Sequence, residues 1–132
     1  MKKGILLNSD ISAVVARLGH TDRVTIADCG LPIRGQAQRI DLALKFGVPS
    51  FLETLDTVLE EMKVQKIILA EEITSVSLEM DAAIRRRFGS EVAVEYVPHE
   101  DFKKLTEQAA AVVRTGECTS YANVILESGV TF

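Results

Sequence analysis

Lys66-Ile67-Ile68-Leu69-Ala70-Glu71-Glu72 is the stretch on which the fold turns. Its apolar centre is short and shows no polar alternation, so it reads as a strand buried on both faces. A strand of that kind belongs to a sheet with helices above and below it. The neighbouring sequence supplies those helices. Upstream, Ser50 and Glu53 form a capping-box pattern, and Phe51, Leu55, Val58, Leu59 and Met62 make the apolar stripe of a helix. Downstream, residues from about Ser75 to Phe88 read as a helix closed by Gly89.

The same alternation continues toward both termini. Val92, Val94 and Tyr96 begin a strand that ends at Pro98-His99, and Glu100 to Gln108 is a short helix carrying Phe102 and Leu105. Ala110 to Arg114 reads as a strand, Thr115 to Ser120 as a turn-rich loop, and Tyr121 to Leu126 as another strand. Val130-Thr131-Phe132 is strand-like as well. Toward the N-terminus, Ile40, Leu42 and Leu44 alternate with Asp41 and Ala43. Val24 to Ala27 is a compact apolar strand running into Asp28 and stopped by Gly30-Leu31-Pro32. Ile11, Val14, Val15 and Leu18 lie on one helical face, with Asn8, Ser9 or Asp10 as cap and Gly19 as stop, so His20 falls just beyond a helix end. Strands alternating with helices over residues 1–132 predict one α/β domain with a mostly parallel sheet.

Composition narrows the function. The chain has 132 residues, 47% hydrophobic and 26% charged, with a formal net charge of −4. That balance supports a real core and argues against a nucleic-acid surface, which needs a basic face. The basic run Arg85-Arg86-Arg87 suits a helix C-terminus. No apolar run reaches transmembrane length, and the one at Gly4 to Leu7 ends at Asn8, too early for a signal peptide. Cys29 and Cys118 lack close spacing, which fits a reduced chain, and with His20 and His99 they form no zinc pattern. No dinucleotide, phosphate-loop or nucleophile-elbow motif occurs.

In an open α/β sheet, ligands bind outside the carboxyl ends of the strands. Asp28, Glu71, Glu72, His99, Arg114 and Glu117 all follow predicted strands and converge on that edge. The plain alternative is that strand ends collect polar residues; Glu71 and Glu72 then form a solvated loop pair. His20 precedes its strand, so in one subunit it belongs to the opposite edge. It reads either as a helix-end cation or as a group that exchanges protons near neutral pH.

Several motifs, in order along the whole chain, resemble the ribose pyranase and fucose mutarotase family. They include Leu7-Asn8-Ser9-Asp10-Ile11-Ser12, Leu18-Gly19-His20-Thr21-Asp22 and Asp28-x-Gly30-Leu31-Pro32. Gly47-Val48-Pro49-Ser50-Phe51, Ala70-Glu71-Glu72-Ile73 and His99-Glu100-x-Phe102-Lys103 follow, then Arg114-Thr115-Gly116-Glu117-Cys118, Tyr121-Ala122-Asn123 and Gly129-Val130-Thr131-Phe132. Arg34 departs from the family's second proline after Gly-Leu-Pro-Ile.

The resemblance implies a three-layer α/β/α fold and a cytoplasmic isomerase that interconverts the β-pyranose and β-furanose forms of D-ribose. It implies no metal or organic cofactor. It also implies a ring-shaped homo-oligomer, a decamer, with the sugar site shared between subunits. Carried over by motif, His20 is the proton donor, while Asp28, His99, Tyr121, Ala122 and Asn123 bind the sugar, with Lys103 a further candidate. The alternatives are a mutarotase for fucose or another aldose, and a non-catalytic sugar-binding module associated with ribose transport.

Overall fold

A computed structural model describes residues 1–132. Six strands form one sheet in the order β2-β5-β1-β6-β3-β4. They are β1 (Arg23–Ala27), β2 (Gln38–Asp41), β3 (Val64–Ala70), β4 (Ala93–Val97), β5 (Ala111–Arg114) and β6 (Val124–Ser128). The pairs β1–β5, β2–β5 and β3–β4 are parallel, whereas β6 runs antiparallel between β1 and β3. The sheet is therefore mostly parallel, as the apolar strands predict, with one reversed strand at its centre.

The period-2 alternation of strand side chains divides the core in two. Val24 and Ile26 of β1, Ile67 and Leu69 of β3, and Val124 and Leu126 of β6 face one side. There they meet Ile11 and Val14 of α1 (Ser9–Arg17), Phe51, Leu55 and Val58 of α2 (Phe51–Leu59), and Ile73 of α3 (Ile73–Val76). Ile84 of α4 (Leu78–Arg85) completes that layer. Ala27, Ile68, Ala70, Val112 and Ile125 face the other side, where Leu31 and Phe102 of α5 (His99–Thr106) cover them. The result is three layers, with the thicker helical layer on the α1–α4 face.

Of the three candidates for the first cap the structure uses Asn8, and Ser50 caps the second helix through its own hydroxyl. Asn8 Oδ1 accepts from Ile11 N and Ser50 Oγ from Glu53 N, so each supplies an acceptor to an otherwise unpaired first-turn amide.

Four elements differ from expectation. The helix expected from Ser75 to Phe88 is two helices, α3 and α4, broken at Ser77, whose φ −136° and ψ 55° lie outside the helical region. The strand expected around Ile40 ends at Asp41, and Leu44 lies exposed in the following loop. The last strand begins at Val124 rather than Tyr121, because Tyr121 adopts a left-handed φ of 62° that no strand accommodates. Val130 to Phe132 pairs with no strand, and Val130 and Phe132 are exposed.

Candidate functional site

The carboxyl ends of the five parallel-running strands share one edge of the sheet. Because β6 runs the other way, its beginning rather than its end reaches that edge. The turn Ser120–Asn123 is thereby delivered beside Asp28, which follows β1, and His99, which follows β4. Together Asp28, Gly30, Leu31, Pro32, His99, Ser120 and Tyr121 line a cavity of about 290 Å³.

Each of its polar walls is held by specific bonds. Asp28 Oδ1 accepts from the amides of Gly30 (2.9 Å) and Leu31 (2.8 Å), an Asx turn that explains why a carboxylate opens the Gly-Leu-Pro segment. Asp28 Oδ2 accepts from Asn123 Nδ2 at 2.9 Å, and Asp28 N donates to Asn123 Oδ1 at 2.8 Å. Asn123 is fully buried, so both ends of its amide are committed to Asp28. Ala122 is equally buried, in the main core cluster, and does not line the cavity.

His99 stands at the first position of α5. Its ring stacks on Phe102 with centroids 6.2 Å apart and meets the edge of Tyr121 at 5.0 Å. Its Nδ1 is buried without a partner. A buried bare acceptor is less costly than a buried orphan N–H, which favours hydrogen on Nε2, where it can be donated to a ligand.

Two further groups support these walls: Glu72, which the sequence brings to this edge either as a site residue or as a solvated loop residue, and Ser77, which it places inside a helix. Glu72 is not a solvated loop residue: both its carboxylate oxygens accept from His99 N, at 3.1 and 3.0 Å. It thus caps α5 from outside, in place of Pro98, which gives no side-chain cap. Ser77, at the break between α3 and α4, donates through Oγ to Ser120 O at 2.7 Å and so anchors the turn that carries Tyr121. The missed signal was the cluster Thr74, Ser75 and Ser77, whose hydroxyls have backbone-bonding alternatives to a continuous helix.

Other polar residues of this edge serve the scaffold. Arg114 bonds Cys29 O and both oxygens of Asp41, and with the Ala43 amide it holds the Asp41 carboxyl below its usual range against the opposing effect of burial. Glu117 accepts from Phe51 N at the start of α2 and from Thr119. Those bonds outweigh burial and lower its carboxyl. Lys103 pairs with Glu100 and does not line the cavity. Arg87 reaches Ala83 O and Asp56, as suits a cation at a helix C-terminus. Both cysteines are free; burial first, and then neighbouring Cys118, push the Cys29 thiol up. No three His, Cys, Asp or Glu side chains converge as a metal site.

His20 lies at the opposite edge, as its position before β1 requires. It is exposed, beside a second hollow of about 350 Å³ bordered by Leu18, Glu61, Lys63, Ser128 and the C-terminal residues. Its Nε2 lies 2.9 Å from Gln65 Oε1. Five residues of strand separate the two edges, roughly 17 Å, so His20 cannot reach the Asp28 cavity of its own chain.

A polar cavity at the carboxyl ends of a three-layer α/β sheet defines a small-ligand-binding protein. The RbsD / FucU transport protein family model matches residues 1–131, and the chain belongs to that family. It is 52% identical over 132 residues to the D-ribose pyranase of Geobacillus kaustophilus (strain HTA426), covering 100% of this chain and 96% of that one. Bacillus subtilis RbsD complexed with D-ribose superposes with a TM-score of 0.95 at 48% identity, covering 100% of both chains. The fucose mutarotase of Streptococcus pneumoniae in complex with L-fucose gives 0.83 at 23%, again over 100% of both, a likeness of fold alone.

Proposed function

We propose that this chain is a D-ribose pyranase that acts as a single 1–132 domain and interconverts β-pyranose and β-furanose ribose. The likeness to named pyranases supports the class of reaction. The observation that carries the chemistry is the split arrangement of polar groups: an ordered Asp28–His99–Tyr121 cavity at one sheet edge, and an exposed imidazole at the other.

Opening a cyclic hemiacetal breaks the bond from C1 to the ring oxygen. The anomeric hydroxyl loses its proton, and the ring oxygen gains one. Closing through a different hydroxyl reverses both transfers and changes the ring size. An imidazole is suited to move those protons near neutral pH, and no net redox change occurs. In this reading His20 is the proton donor. Asp28 and His99 accept from and donate to sugar hydroxyls, and the Tyr121 ring offers an apolar face. Asn123 acts through Asp28, and Ala122 packs in the core between Tyr121 and Asn123 in sequence.

The separation of the edges is resolved if a neighbouring copy brings its His20 to the cavity. Exposed Ile5, Leu7, Leu44, Phe46 and Phe132 give one chain considerable uncovered apolar surface, which association would remove from water. A closed ring of copies, paired into a decamer, satisfies both requirements in the cytoplasm, where the free thiols stay reduced.

The test is NMR exchange spectroscopy on anomeric signals. The protein should accelerate pyranose–furanose exchange of ribose more than exchange of fucose. A buffer-level rate with ribose still bound would establish instead a sugar-binding module, the alternative that the family's transport description keeps in view. Faster exchange of fucose would reassign the sugar.

A further inference from the structure

We infer that Gln65 and Glu127 are positioning residues that hold His20 in its Nε2–H tautomer, leaving Nδ1 as the nitrogen that gives and takes the sugar's proton. The inference rests on the reading of His20 as the proton-transferring group and names the atom that does the work.

A chain of hydrogen bonds runs from Arg23 to His20. Its guanidinium donates through Nε (3.0 Å) and Nη2 (2.7 Å) to Glu127 Oε2. The other oxygen, Glu127 Oε1, accepts from Gln65 Nε2 at 3.0 Å. An ionised carboxylate only accepts. Burial pushes the Glu127 carboxyl up, yet the bonds from Gln65 and Arg23 outweigh it and keep the group below its ordinary range. With an acceptor-only partner on that side, the Gln65 amide must turn its NH₂ to Glu127 and its oxygen to His20. An amide oxygen cannot donate, so His20 Nε2 must carry the hydrogen across the 2.9 Å contact.

The backbone is built to present Gln65 in this way. Lys66 pairs with Glu127 and Val64 with Ser128, so Gln65 is an extra residue in β3 with no partner on β6. Such a bulge re-aims a side chain that would otherwise alternate with the strand. Opposite it stands Gly129, where a Cβ would come within 3.1 Å of Gln65 Cβ. The backbone just after His20 is held by the bonds from Thr21 N to Ser128 O and from Ser128 N to Asp22 O. Glu61 and Lys63 are the other charged side chains beside the hollow, and neither bonds the ring.

The substitution Glu127→Gln gives the sharpest test. An amide offers one acceptor oxygen where the carboxylate offered two. Arg23, with two charge-assisted bonds, claims that oxygen, and the new NH₂ then faces Gln65. Gln65 must reverse, presenting its NH₂ to His20 and driving the ring to the Nδ1–H tautomer. The chain has two histidines, so long-range ¹H–¹⁵N correlation on histidine-labelled full-length protein reads His20 directly, with His20→Asn providing the assignment.

Above the histidine titration range the wild type should show Nε2–H. Glu127→Gln should show Nδ1–H, and Gln65→Leu should lose the preference. In both variants kcat for ribose exchange should fall by at least roughly tenfold with KM little changed. A wild-type Nδ1–H tautomer, an even mixture, or an unaltered tautomer in folded Glu127→Gln overturns the inference. The wild-type spectrum decides the matter even if Glu127→Gln does not fold. A wild type with the Nε2–H tautomer but no exchange activity would refute the pyranase reading while leaving the network in place.

Discussion

Asn123→Asp tests whether Asp28 is held by a buried amide clamp. The substitution changes one atom. The retained oxygen still accepts from Asp28 N, but the nitrogen that donated to Asp28 Oδ2 at 2.9 Å becomes a second carboxylate oxygen. Two unit charges that close repel by about 6 kcal/mol at an effective dielectric near 20. Binding one proton at pH 7 to a group that ordinarily titrates near 3.9 costs only about 4 kcal/mol, so the pair takes up a proton. The folded value of that shared group lies above its unfolded value. Its stability contribution is therefore complete below about pH 4 and is lost as pH rises, by about 1.4 kcal/mol per pH unit. Relative to wild type, Asn123→Asp should lose about 4 kcal/mol at pH 7 and about 3 kcal/mol less than that at pH 4.5. Asn123→Ala, which removes two bonds and adds no titrating group, should lose roughly 2–4 kcal/mol at both. Urea unfolding at fixed protomer concentration measures all four values. Equal pH slopes for the two variants, or a wild-type stability for Asn123→Asp at pH 7, would refute the clamp.

Two further perturbations follow from the same geometry. Glu72→Ala removes the cap on His99 N and should lower stability by about 1 kcal/mol; titration with ribose should show weaker binding, and Glu72→Gln, which keeps an acceptor, should restore part of it. Asp41, Glu117 and Glu127 all have folded values below their ordinary ones, so they stabilise the fold above about pH 4.5 and lose that contribution as pH falls through the folded values. Thermal unfolding between pH 6 and 3 should show a steep loss that Glu117→Gln makes shallower.

The layers of the fold were legible because they depend on periodicity. The apolar run Ile67 to Ala70, the stripe from Phe51 to Met62 and the caps Asn8 and Ser50 are local patterns, and each local pattern agreed with the packing around it. The reversal of β6 was not legible, since strand direction is set by which neighbours pair, not by the strand's own residues. That reversal is what brings Tyr121 to Asp28 and His99. Tyr121 itself looked like strand because an aromatic favours one, and nothing local announced its left-handed backbone. The bonds that Glu72 and Ser77 make were not legible for a related reason. Their partners, His99 and Ser120, stand 27 and 43 residues away in sequence, and only the folded chain brings them together. His20 was the opposite case: its edge followed from chain direction alone, and so did its distance from Asp28.

Subunit mixing tests whether two copies share one site. His20→Ala and Asp28→Asn each remove one half of the site and should each be inactive alone. Unfolded together and reassembled as mixed oligomers, they should regain ribose ring exchange, because some interfaces then join an intact His20 to an intact Asp28. Mixed oligomers, verified by mass, that remain at the buffer rate would contradict the account.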